Sequence, residues 1–282
     1  MTKLNSYLEL IRFYNPIGFW LLLWPGLWGL FLSDNFNISN FTIVILGSFL
    51  TRSLGCAIND LSDMKFDKNV ERTKDRPLAN NSLSVLEALL FIILLSVCSL
   101  LLLSLTNTFT IKLVGLIAVP MIIIYPLMKR FIAVPQIFLG ATFGLSLPIS
   151  YSIAEGAISL EVLFLYFGCV FWIIAYDTYY ALCDFDDDKK LKLNSAAIFF
   201  GNDTRKAVIV FSSLFVLSIL ILAYKNVSSI IAIGVLFLLY QIYFQNQLSR
   251  SDKNLEAFKA NSQIGLVVAV LLFIEKQSEF FS

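Results

Sequence analysis

Half of the chain's 20 acidic residues fall in two short windows. The first, NDLSDMKFDKNVERTKDRPL (59–78), carries Asp60, Asp63, Asp67, Glu71 and Asp75; the second, YDTYYALCDFDDDKK (176–190), carries Asp177, Asp184, Asp186, Asp187 and Asp188. Each follows directly on an apolar run. If the first run continues as a helix, Asn59, Asp63 and Asp67 stand at i, i+4 and i+8 on one face; Asp177, Asp184 and Asp188, at i, i+7 and i+11, form a second stripe. Stacked like charges repel, and a carboxylate at membrane depth costs about 2.5–3.5 kcal/mol, so something cationic must offset them. Carboxylates together with an asparagine carbonyl are the hard oxygen donors that Mg²⁺ takes, and Mg²⁺ keeps coordination positions for substrate phosphates. Two facing acidic clusters therefore point to a diphosphate held through two metal ions. The basic residues nearby suit the same ligand: Arg72 and Arg76 at i, i+4, then Lys129 and Arg130, then Lys189 and Lys190 can each bind phosphate oxygens. Solvated connecting loops are the plainer reading. They account for one such window, but poorly for two that each begin inside an apolar span.

The elements that carry these windows follow from hydropathy. The chain has 282 residues, 58% hydrophobic and 15% charged, with mean hydropathy +0.78; a soluble domain carries about 25% charged residues. Apolar segments recur at 17–33, 41–57, 86–104, 108–126, 133–152, 160–181, 206–224, 227–244 and 261–275. Nine helices are expected, several near the lower length limit for crossing about 30 Å of hydrocarbon. The fold class is thus an all-α integral membrane protein, one polytopic domain over 1–282, with a central cavity opening to the cytoplasmic side. With the N-terminus inside, 18 of the 21 Lys and Arg fall on the cytoplasmic side, and only Lys112, Lys225 and Lys276 outside. Both acidic windows then face the cytoplasm. Their four-helix spacing hints at two related halves.

Composition removes several function classes. With no His there is no His-based triad, metal site or proton relay. A net charge of +1 gives no footprint for nucleic acid. Cys56, Cys98, Cys169 and Cys183 never form CxxC and read as packed free thiols. The N-terminal stretch lacks a cleavage-site pattern, so the first span is expected to be retained. Arg52 stands out inside the second apolar segment, seven residues before Asn59 on the same face. An unpaired Arg there is costly, so it is expected to serve the acidic cluster or a substrate anion.

These residues resemble the UbiA superfamily of intramembrane prenyltransferases. Its NDxxDxxxD signature stands as Asn59, Asp60, Asp63 and Asp67, running into RTKDRPL, and its DxxxD signature as Asp184 and Asp188. PIGFWLLLWPGLW (16–28), YPLMKRFIAVPQIFLG (125–140) and the YDTYYA lead-in resemble the 4-hydroxybenzoate polyprenyltransferase branch. The likeness runs over about residues 12–205. It departs at Tyr14 and Asn15, where an acidic and a basic residue are expected, and at Lys192 and Asn194, where Gly and Lys are expected.

The resemblance implies that a polyprenyl diphosphate alkylates 4-hydroxybenzoate ortho to its hydroxyl, releasing diphosphate, on the way to ubiquinone. It implies a multi-pass protein of a bacterial inner membrane, with prenyl diphosphate, 4-hydroxybenzoate and membrane lipid as partners and no nucleic acid. On this reading Asn59, Asp60, Asp63, Asp67, Asp184 and Asp188 hold Mg²⁺, two ions bridged by the diphosphate in the family's manner, and Arg72, Lys129 and Lys190 contact diphosphate. Asp177, Tyr176 and Tyr180 orient or deprotonate the phenol, and Arg52 or Lys129 meets the acid's carboxylate. Other acceptors, such as homogentisate or a naphthoate, remain open, as does an ion-coupled transporter or a non-catalytic lipid-binding membrane protein. A transporter more often places charges near the bilayer midplane on broken helices.

Overall fold

In the computed structural model, residues 2–68, 70, 73–223 and 229–281 are described. They fold as helices and connecting loops. A short helix α1 (Lys3–Leu10) is followed by α2 (Ile17–Phe31), α3 (Ile38–Asp67), α4 (Val85–Ser104) and α5 (Thr108–Ile124), the last with a π turn at Val114–Ala118. Then come α6 (Pro135–Glu155), stepped at Leu145, α7 (Leu160–Cys183), the short α8 (Phe185–Lys190), α9 (Ala196–Leu222), α10 (Ser229–Arg250) and α11 (Asn254–Phe281). Among the described residues, seven helices are long and apolar enough to cross a membrane: α3, α4, α6, α7, α9, α10 and α11; α2 and α5 are shorter apolar helices. Each of the nine expected segments overlaps one of these helices, and residues 224–228, which end one segment and begin another, lie outside the described residues.

Several helices start where side chains satisfy their first N–H groups. Asn37 accepts from Asn40 N at 2.9 Å to open α3, Ser84 and Glu87 form a reciprocal capping box on α4, and Ser159 opens α7. The interior is built on α2 and α7. Trp28, fully buried, stacks against Phe215 of α9 at 5.7 Å and packs on Trp172 of α7 at 5.0 Å. Its indole N–H donates to the Gly265 carbonyl of α11 at 2.9 Å. Gly29 lies against the Leu147 backbone, with no room for a Cβ, so α2 and α6 approach closely.

Hydrogen bonds define the two ends of the bundle. At one end Glu155 accepts from Asp34 N and Asn35 N at 2.8 and 3.0 Å, Asn107 donates to Ser152 O at 2.6 Å, and Lys276 pairs with Asp34. At the other, Arg12 reaches Asp60, Gln136 accepts from Ala196 N at 2.9 Å, and Arg205 donates to Ser249 O at 2.8 Å. Both acidic windows belong to this second end. The first stripe is as expected, because α3 runs on to Asp67. The second is not one continuous helix: α7 stops at Cys183, and Asp184 (φ −101°, ψ 7°) joins it to α8. Asp184 and Asp188 are thereby separated from Asp177 by a helix break.

Candidate active site

A cavity of about 760 Å³ opens at this end. One wall is α3, which presents Arg52, Asn59, Asp60, Asp63 and Asp67 over about four turns; the facing wall is α7 and its continuation, with Tyr176, Asp177, Tyr180, Asp184 and Asp188. Residues 109 or more apart in sequence are thus brought to one space, as the two stripes required. Leu21, Leu22, Leu139 and Phe143 give the cavity an apolar depth.

Its charged rim is organised around Asp60, which is buried. Oδ1 of Asp60 accepts from Arg12 Nη2 at 2.6 Å and lies 3.1 Å from Arg76 Nη1. The same Arg76 nitrogen stands 3.0 Å from Asp67 Oδ2. Arg12 adopts a left-handed φ of 60° and also donates to the Glu9 carbonyl at 2.9 Å, so it closes α1 while reaching across to α3. Thr73 Oγ1 donates to the Asp67 carbonyl at 3.1 Å, which folds the loop after α3 back onto its end.

Deeper, the Arg52 guanidinium lies over the Phe143 ring at 5.7 Å, and its Nε is buried without a hydrogen-bond partner. Among the described residues Arg52 forms no ion pair. Gly18 of the PIG segment leaves the space it fills. The Tyr176 hydroxyl is likewise buried without a partner. Its ring meets Trp172 edge-on at 5.1 Å and Phe258 at 5.8 Å, while Tyr180 packs on Phe258 at 5.0 Å. An anion-seeking cation and a lone phenol thus face one cavity with an aromatic wall between α7 and α11.

The other expected phosphate contacts fare differently. Arg72 lies outside the described residues, and Lys129 sits in a short helix, Met128–Phe131, its side chain outside them too. Lys190 does not line the cavity: α8 turns it to the surface, where it pairs with Asp187 at 3.5 Å and is 76% exposed. Cations that do line it, besides Arg52, are Arg12, Arg76, Arg130 and Lys259. Arg12 stands four residues before Pro16 of the PIG segment and Lys259 is one of two lysines, with Lys276, on α11; neither spacing announced a site. Arg130 stacks on Phe66 at 5.3 Å.

The donors suit a hard divalent cation. Every polar atom the two stripes offer is oxygen apart from the Asn59 amide nitrogen, and Oδ2 of Asp60 is buried with no hydrogen-bond partner. Among the described residues no three Asp, Glu or Cys converge closely enough to hold a metal by themselves. Such a set leaves coordination positions for a phosphate ligand.

Comparison with known proteins agrees with this geometry. A family model described as the UbiA prenyltransferase family matches residues 22–267. A 4-hydroxybenzoate octaprenyltransferase of Polynucleobacter necessarius is 40% identical over 266 residues, 92% of each chain. One from Histophilus somni is 39% identical over 275 residues, 95% of this chain and 96% of that one. Among solved structures, a UbiA homolog from Aeropyrum pernix without ligand superposes with TM-score 0.80 at 22% identity, covering 91% of this chain and 97% of that one. A UbiA homolog from Archaeoglobus fulgidus bound to GPP and Mg²⁺ does so with TM-score 0.72 at 20% identity, covering 95% and 99%.

Proposed function

The chain belongs to the UbiA prenyltransferase family, and from that premise we propose that it transfers a polyprenyl group from a polyprenyl diphosphate to 4-hydroxybenzoate, ortho to the hydroxyl, releasing diphosphate in ubiquinone biosynthesis. The observation that carries this reading is that both acidic stripes and the half-buried Arg52 line one cavity.

Asn59, Asp63, Asp67, Asp184 and Asp188, with Asp60 through its Oδ2, would hold Mg²⁺, as two ions together with the substrate diphosphate. Bound there, Mg²⁺ would neutralise the leaving diphosphate and lower the barrier to its departure. Arg76 and Arg130 line the same rim, and Arg72 and Lys129 remain candidates for phosphate oxygens. The allylic C–O bond breaks, and the apolar depth of Leu21, Leu22, Leu139 and Phe143 keeps water from the resulting cation. The faces of Tyr176, Tyr180 and Phe258 stabilise it. Arg52 takes the carboxylate of the acceptor. Asp177 accepts a hydrogen bond from its hydroxyl, which raises electron density at the ortho carbon; that carbon forms the new C–C bond and then gives its proton to the released diphosphate. The Tyr176 hydroxyl orients the ring.

We further propose that all nine apolar helices cross the bacterial inner membrane, with the N-terminus and the cavity mouth cytoplasmic. Charges gathered at one end of the bundle favour this over a transporter. Membranes containing the protein should convert labelled 4-hydroxybenzoate to a lipid-soluble product only when a polyprenyl diphosphate is supplied. Labelled homogentisate or naphthoate used in its place gives the acceptor; preference for either would overturn the assignment.

A further inference from the structure

Asp67 faces the cavity, yet its carboxylate is already engaged. A single nitrogen, Nη1 of Arg76, stands 3.0 Å from Asp67 Oδ2 and 3.1 Å from Asp60 Oδ1, joining two carboxylates seven residues apart on α3. The pair is nearly buried, with Asp67 side-chain exposure 9% and Arg76 19%. A cation binding Oδ2 of Asp67 must therefore displace a guanidinium. We infer that Arg76 is a built-in competitor for the metal site: it occupies Asp67 until diphosphate arrives, then exchanges Asp67 for the phosphate oxygens, so that divalent cation and diphosphate enter together rather than in either order.

Electrostatics gives the direction. A bare dication arriving at Asp67 is repelled by Arg76 and strips it of one of its two carboxylates, leaving a guanidinium of little exposure to share Asp60 with Arg12. A dication accompanied by diphosphate brings net negative charge, and the freed guanidinium gains a better, bidentate acceptor. The surroundings permit the exchange. Asp60 keeps Arg12 at 2.6 Å when Arg76 leaves, so no buried carboxylate is abandoned. The loop does not depend on the Arg76 side chain, because its backbone is held by Arg76 N to Thr73 O at 3.0 Å and Asn80 N to Arg76 O at 2.9 Å. Leu78 is buried with Leu10, Ala57 and Leu83 beneath it. After transfer, loss of diphosphate returns Arg76 to Asp67, which expels the metal and readies the site for the next substrate.

The inference rests on the metal–diphosphate reading above, and binding separates the two. Mn²⁺ binding to the purified full chain in detergent is read from the free-ion electron paramagnetic signal, with and without inorganic diphosphate. Arg76→Gln should bind Mn²⁺ alone at least about fivefold more tightly than the unaltered chain, while the gain from adding diphosphate shrinks by a similar factor, since the coupling is reciprocal. Lys206→Gln, at a lysine that pairs with Asp203 outside the cavity, should leave binding of Mn²⁺ alone within about twofold. If Arg76→Gln does not fold, Arg76→Lys, which keeps the charge but not the fork, should shift binding in the same sense by less. Unchanged or weaker Mn²⁺ binding in the folded variant overturns the inference. No Mn²⁺ binding by any protein, with or without diphosphate, overturns the underlying reading instead.

Discussion

Gly18 and Arg52 share a space that only glycine leaves open: a Cβ on Gly18 would stand 2.6 Å from Cζ of the Arg52 guanidinium. The PIG segment is thus matched to an arginine two helices' contact away, and the contact is with the end of a flexible side chain rather than with backbone. A methyl group there displaces the guanidinium and leaves the helices in place.

Gly18→Ala should therefore fold normally and raise KM for 4-hydroxybenzoate about tenfold, as loss of one charge-assisted contact does, with KM for the prenyl diphosphate little changed. Arg52→Gln should do the same or more. Gly55→Ala, where a Cβ meets nothing within 4 Å, is the control. Steady-state kinetics with each substrate varied in turn checks this; an equal rise in both KM values would remove Arg52 from the acceptor's carboxylate.

Orientation follows from the 18-to-3 distribution of basic residues. In a background with exposed Cys183 replaced by Ser, Ser82→Cys should react with a membrane-impermeant thiol reagent only from the cytoplasmic side, and Asn37→Cys only from the outer side. The reverse labelling pattern contradicts the topology, and with it the cytoplasmic entry of the acid.

Much of this architecture is written locally. Apolar runs long enough for lipid become helices, and Asn59, Asp63 and Asp67 fall on one face because α3 simply continues to Asp67. What sequence spacing hides is tertiary. Arg12 and Asp60 are 48 residues apart and meet only because α1 folds back across the end of α3. Lys259 enters the cavity from α11 with no motif around it. The Asp177–Asp184–Asp188 stripe presumed one helix, but the backbone turns at Asp184. Lys190 follows that turn to the surface. Lys192, where resemblance expects glycine, adopts a left-handed φ of 54° just beyond α8, with Leu193 N donating to Asp188 O at 2.9 Å. That helix-ending geometry explains the expected glycine, and this chain meets it with a strained lysine.

The central claim is that the two acidic stripes hold a divalent cation on a diphosphate, and prenyl-transfer rates measured across a small set of variants test it most directly. Turnover should vanish in chelator and return with added Mg²⁺. Asp63→Asn and Asp184→Asn should each fold yet lose about 10²-fold or more in kcat, and the double variant should lose far less than the product of the two, because both serve one metal–diphosphate unit. Asp186→Asn, exposed and outside the cavity lining, should lose little. Full activity in Asp184→Asn, or turnover that persists in chelator, would contradict the account and leave the aspartates as loop solvation.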